Sequence, residues 1–214
     1  NPAKIAAIEA RGGQVLVYGD DSGISEIYAR RLAQQGGVPY ISPYNDAEVV
    51  AGQGTVGAEL TRQLPGVDAV FIALGGGGLL SGVAACLKSV WPGTAVIGCS
   101  PENSAVMIES LMAGRIVDIP SKPTLSDGTA GGVEQGAITF EWCRALGDAY
   151  VTVSEDEIRQ AMRTVLETHH LAVEGAAGVA LAAFQRQAGA WRGKTVVVIL
   201  CGGNVGPGAP GSGP

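Results

Sequence analysis

The sequence is poor in charge, in aromatic residues and in cysteine, and each shortage excludes something. Of its 214 residues only 16% are charged and 5% aromatic. Fourteen Lys and Arg stand against twenty Asp and Glu, a net charge of −6. No basic stripe is present to neutralise phosphates, so nucleic acid is excluded as a partner, because that affinity rests on Lys and Arg. The four cysteines, Cys86, Cys99, Cys143 and Cys201, form no C-x-x-C pair. They read as free thiols of a reducing, cytoplasmic compartment, not as a disulfide framework. No apolar run approaches the ~20 residues of a membrane-spanning helix, so no membrane partner is expected. The chain also opens on Asn1-Pro2-Ala3-Lys4, without an initiator Met or the pattern of a signal peptide. It begins inside a helical pattern, which predicts a fragment of a longer protein or a truncated homologue.

Glycine is what the sequence has in excess: 33 residues, roughly twice ordinary usage. They follow no Gly-X-Y period, and 46% hydrophobic content excludes disorder over most of the length. The chain is long enough for one large domain, or for a domain and part of another.

Apolar periodicity alternates between strand and helix. Helices are predicted over Pro2 to Ala10, Ser22 to Gln35 and Asp46 to Leu64, with short strands at Gln14 to Tyr18 and Val38 to Ile41 between them. Asp68 to Leu74 is a continuous apolar run, the pattern of a parallel strand covered on both faces. Further strands are expected at Thr94 to Cys99, Ala149 to Val153 and Thr195 to Leu200. Ser154-x-x-Glu157 is a capping box opening a helix to about Thr168, and Gly175 to Gln187 is another helix. Between Ile116 and Gln135 lies a long connection of the kind that usually has a task. The fold class is therefore α/β: a mostly parallel sheet with helices on both faces, plus the remnant of a second, smaller α/β domain. A boundary near Tyr44 divides a remnant, residues 1–44, from a large domain, residues 45–205. The tail 206–214, Gly-Pro-Gly-Ala-Pro-Gly-Ser-Gly-Pro, has no apolar anchor and is expected to be disordered.

The sharpest local signal is Gly75-Gly76-Gly77-Gly78, between a buried strand and a helix. In an open α/β sheet that is the carboxyl edge, where ligands bind. Side-chain-free residues let several backbone N–H groups converge on one anion, and the following helix adds its positive end. A tight turn alone needs fewer glycines. The dinucleotide pattern G-x-G-x-x-G fails, since Ser81 stands where its third glycine belongs. Gly193-Lys194-Thr195 is no P-loop either, because Ala188 replaces the first glycine and a strand follows. His169 and His170 are adjacent and point to different faces of a helix. No third ligand accompanies them, and no metal is expected.

Four stretches together carry a resemblance: Ala51-Gly52-Gln53-Gly54-Thr55, the glycine loop Leu74 to Leu79, Ser126-Asp127-Gly128, and Cys201-Gly202-Gly203-Asn204, with Glu174-Gly175-Ala176 in support. From Pro2 to about Val205 the chain resembles fold type II (tryptophan-synthase-β-like) pyridoxal phosphate enzymes, in particular threonine/serine dehydratases and serine racemases. The resemblance implies pyridoxal 5′-phosphate as cofactor. Its phosphate would be held by backbone donors of Gly75, Gly76, Gly77, Gly78 and Leu79. Cys201 would lie beside the pyridine nitrogen and Glu174 near the same ring edge, with Asn204 shaping the loop. A thiol is a weak donor and would not hold that nitrogen protonated, which suits β-elimination over transamination. The implied reaction is deamination of L-threonine or L-serine. A lysine is displaced by the substrate amine, the Cα proton leaves, the β-hydroxyl is expelled, and hydrolysis yields a 2-keto acid and ammonia.

One departure is large. The family's Schiff-base lysine lies in a Ser-x-Lys motif, and its substrate-carboxylate loop is a Ser-Gly-Asn segment. Both belong upstream of Asn1. Lys4 matches a surface-helix position, and Lys88, Lys122 and Lys194 do not occupy the motif, so no catalytic residue is assigned. The large domain is accordingly expected to be incomplete at its N-terminal side, and the chain by itself inactive. Where some relatives carry acids for a divalent cation, this chain has Ser100 and Val106. The partners expected are a small-molecule amino acid and further copies of the chain in a homo-oligomer. A non-catalytic truncated homologue that binds an anion or a partner chain, and a racemase of the same family, are the alternatives.

Overall fold

The computed structural model describes residues 2–205; the expected tail at 206–214 lies outside the described residues. Four parallel strands, β1 (Ala69–Ala73), β2 (Ala95–Pro101), β3 (Ala149–Val153) and β4 (Val196–Val198), form one sheet in the order β3-β2-β1-β4. In register, Phe71 of β1 stands opposite Ile97 of β2 and Val198 of β4. All five residues of β1 are buried, as its unbroken apolar run predicts. Its side chains alternate between two cores. Val70 and Ile72 face the layer of α3 (Ala47–Gln63), α4 (Gly78–Val90), α5 (Val106–Ala113) and α6 (Ile138–Leu146). Ala69 and Phe71 face α7 (Glu155–His169) and α8 (Gly175–Gln187). Edge-on contacts from Phe184 and Trp191, at ring-centroid distances of 5.5 and 6.2 Å, pack around Phe71. The α/β class with helices on both faces of a parallel sheet is observed.

Local chemistry sets the helix limits. Both halves of the Ser154–Glu157 capping box form at the start of α7, and His169-His170 closes that helix, with His170 left-handed at φ 55°. Asp46 caps α3 by accepting from Glu48 N at 2.8 Å. Asp21 caps α2 (Ser22–Gly36), accepting from Gly23 N at 2.8 Å. The Ser22 hydroxyl donates to Ala130 O at 3.2 Å.

The N-terminal part differs from expectation. α1 (Pro2–Glu9) and α2 form, but Gln14–Tyr18 and Val38–Ile41 pair with no strand among the described residues. Leu16, Val17 and Ile41 are 64%, 72% and 75% exposed. A strand exists only within a ladder, and β-propensity without a neighbour leaves an extended segment. Among the described residues no helix is long and apolar enough to cross a membrane.

Candidate active site

At the carboxyl edge of β1 the chain remains paired for one more residue. Leu74 N donates to Cys99 O at 2.7 Å, and Leu74 O accepts from the buried Ser100 hydroxyl at 2.6 Å. Ser100 is thus committed to the backbone at the position where some relatives would have an acid. The glycines then turn the chain into α4, with Gly77 left-handed at φ 87°, a conformation that favours glycine. Their neighbours come closer than any side chain allows. A Cβ on Gly76 would lie 2.3 Å from the Tyr44 ring, and one on Gly75 2.9 Å from the Thr129 backbone.

The bare backbone has a second consequence. The N–H groups of Gly75, Gly76, Gly77, Gly78 and Leu79 have no acceptor among the described residues, and all five residues line a cavity of about 420 Å3. Two of these amides belong to the first turn of α4, which leaves its leading N–H groups without intrahelical partners and carries the positive end of the helix dipole.

Cys201, from beyond the last strand, lines the same cavity. Burial pushes its thiol up, and the charge of Glu174 adds to the shift, so Cys201 is neutral at pH 7. Glu174 stands behind the Cys201–Asn204 turn and not on the cavity wall. Its own N–H donates to Gly202 O at 3.2 Å, and its Oε1 accepts from Asn204 N at 2.7 Å. The structure therefore brings the glycine loop, Leu79 and Cys201 to one cavity, with Glu174 and Asn204 immediately behind it.

The remaining walls were less visible in the sequence. Asp127 to Gly132, part of the long connection, closes one side. Lys4 is no surface bystander: its Nζ lies 3.0 Å from Glu174 Oε2 and 3.2 Å from Asp127 Oδ2. Burial opposes the charge of Lys4, but the hydrogen bonds of these two carboxylates outweigh it and raise the pKa. Glu26 and Tyr44 line the cavity as well, Tyr44 lying against Gly76 and Gly78. The Tyr44 hydroxyl accepts from Glu134 N at 2.7 Å and donates to Glu26 Oε2 at 3.0 Å. Burial raises the Glu26 carboxyl, against the hydrogen bond from Tyr44. No sequence motif announces either residue, because residues 26, 44 and 134 meet only in three dimensions. Cys99 and Cys143 are buried in the core, and Cys86 is half-buried. Among the described residues no cluster of side chains could hold a metal ion.

Comparison with known proteins shows the family. The family described as pyridoxal-phosphate dependent enzyme matches residues 1–202. The L-threonine ammonia-lyase of Thermotoga maritima is 38% identical over 203 residues, 95% of this chain but 50% of that protein. Threonine deaminase isoform 2 of Solanum lycopersicum superposes with a TM-score of 0.87 at 35% identity, over 97% of this chain and 57% of the other. A maize serine racemase gives 0.86 at 30% identity, over 97% and 64%. The chain thus spans half to two thirds of the length of these proteins, and across that span sequence and fold agree: it belongs to the pyridoxal-phosphate-dependent enzyme family.

Proposed function

We propose that this chain forms the cofactor-binding part of an ammonia-lyase that converts L-threonine or L-serine to a 2-keto acid and ammonia. One observation supports the reading: five successive residues whose amides have no acceptor among the described residues line a cavity that Cys201 lines as well. That donor set fits a phosphate monoester. Each charge-assisted hydrogen bond is worth about 1.5–3 kcal/mol, and Gly76 and Gly78, closed over by Tyr44, leave no room for side chains that would block it.

In this reading Gly75, Gly76, Gly77, Gly78 and Leu79 bind the phosphate, and Cys201 receives the pyridine edge. Glu174 holds the Cys201–Asn204 turn in place. When bound, pyridoxal phosphate supplies an electron sink for the carbanion at the substrate Cα. The chain's own residues orient that group. A thiol kept neutral by burial offers the ring nitrogen only a weak hydrogen bond, so the nitrogen stays uncharged, as suits loss of a β-hydroxyl. The Asp127–Gly132 segment covers the cavity and limits water.

Among the described residues no lysine lines the cavity. Lys4 is engaged with Asp127 and Glu174, Lys88 with Asp148, and Lys194 with Asp68. The amine that holds the cofactor covalently is therefore expected from a Ser-x-Lys segment outside these 214 residues. Residues 1–44 are read as part of a small domain and 45–205 as the large one. The groove between α3, α4 and α6, lined by apolar residues such as Val50, Ala51 and Trp142, supports self-association. Four free thiols support a reducing, cytoplasmic setting. Likeness to a serine racemase favours racemisation as the second reading.

The test supplies the protein that carries this chain with pyridoxal phosphate and L-threonine and assays 2-oxobutanoate. Keto acid is expected. None from threonine or serine, with serine enantiomers interconverted instead, would replace deamination by racemisation. For the 214 residues alone, borohydride reduction in the presence of cofactor is expected to label no lysine stoichiometrically.

A further inference from the structure

One cavity wall is chemically unlike the others. Tyr44 has a single hydroxyl proton. Its oxygen already accepts from Glu134 N at 2.7 Å, and burial raises its pKa, so the proton stays on and is given to Glu26 Oε2 at 3.0 Å. The second oxygen, Glu26 Oε1, has no partner among the described residues, and Glu26 lines the cavity. The positive charge of Arg30 acts on this carboxylate without pairing with it. Arg30, one turn further along α2, is committed to Glu134, with Nε at 2.7 Å and a second nitrogen at 2.9 Å from that carboxylate. Among the described residues no Lys, Arg or His lines the cavity, whereas Glu26 does, and so does Asp127, which is paired with Lys4. The cavity therefore has an anion-gripping end, the glycine loop, and a wall that accepts hydrogen bonds and repels negative charge.

We propose that Glu26 is a specificity-determining residue, its free carboxylate oxygen selecting amino acids with an uncharged, hydroxyl-bearing side chain against acidic ones. The inference rests on the deamination reading and narrows its substrate class. A hydroxyl or ammonium donor satisfies Glu26 Oε1, whereas a side-chain carboxylate there would face a like charge that no ion pair among the described residues neutralises, a repulsive element of the kind that creates specificity.

The test compares L-threonine with L-threo-3-hydroxyaspartate, which has the same β-hydroxyl and a carboxylate in place of the methyl group. In the cofactor-loaded protein that carries this chain, threonine is expected to be preferred in kcat/KM by about 100-fold or more, and Glu26→Gln to narrow that ratio about tenfold. Glu26→Asp, which keeps the charge, is expected to retain the preference. Calorimetric binding of succinate supplies a readout without turnover: Glu26→Gln should bind it about tenfold more tightly than the wild type. A substrate ratio and a succinate affinity both unchanged in Glu26→Gln would overturn the inference. If neither amino acid yields keto acid, deamination fails, and the succinate arm still decides the role of Glu26.

Discussion

Residues 2–44 and 45–205 are held by different forces. The larger part owns two apolar cores on either side of a sheet, with Phe71, Ile72, Leu74, Leu80 and Ile158 fully buried. The smaller part buries little: α1 has no buried residue and α2 only Ala33. Apart from Tyr44, which packs into the first core, its attachments are polar and gather near the cavity. Lys4 reaches Asp127 and Glu174, Asp21 accepts from Gly132 N, and Arg30 pairs with Glu134. One part is stabilised by removal of apolar area from water and the other by charge, which solvent and salt weaken.

The comparison breaks first at the core. Phe71→Ala removes a fully buried ring and is expected to cost about 3–5 kcal/mol, read from the denaturant midpoint. A result under 1 kcal/mol would mean that β1 is not the centre of the sheet. Next comes the cradle, where Gly76→Ala drives a methyl group into the Tyr44 ring. Overpacking of this kind costs about 1–3 kcal/mol. It should displace Tyr44 and weaken cofactor binding, measured by absorbance titration, with the parallel sheet retained by circular dichroism.

Acid separates the two parts more gently. For Glu134, burial opposes ionisation, but the hydrogen bonds of Arg30 and Asn45 outweigh it and lower the pKa. A depressed carboxyl stabilises the fold above its unfolded pKa and loses that contribution as pH falls through the folded value. For Glu157, the hydrogen bond from Arg186 holds the pKa down to about 2. Hydrogen exchange along a falling pH series should therefore release α2 below the ordinary carboxylate range, while the cap of α7 persists to about pH 2. Simultaneous release would show that the tether is not electrostatic. Smallest is Lys4→Met, which deletes one partly exposed tether. Its expected cost is under about 1 kcal/mol, seen as faster proteolysis of α1 and diminishing with added salt.

What the sequence discloses follows the same division. The apolar run of β1, the Ser154–Glu157 box and the glycine loop are local signals. A strand covered on both faces, a cap and a bare turn each declare themselves within a few residues, and all three are found in the structure. Gln14–Tyr18 and Val38–Ile41 have strand composition, yet a ladder needs a partner that composition does not supply. The wall made by Glu26 and Tyr44 was illegible for a different reason. Its geometry depends on Glu134 presenting a backbone N–H to a hydroxyl ninety residues away in sequence, and no periodicity encodes that meeting. Lys4 likewise acquires its role only where α8 and the Asp127 turn converge.

The account depends most on the claim that the unpaired amides from Gly75 to Leu79 grip a phosphate monoester. Fluorescence titration of the protein that carries this chain with pyridoxal 5′-phosphate and with pyridoxal, which lacks only the phosphate, tests that claim directly. Several charge-assisted hydrogen bonds predict at least about 100-fold tighter binding of the phosphorylated form. Equal affinities would contradict it.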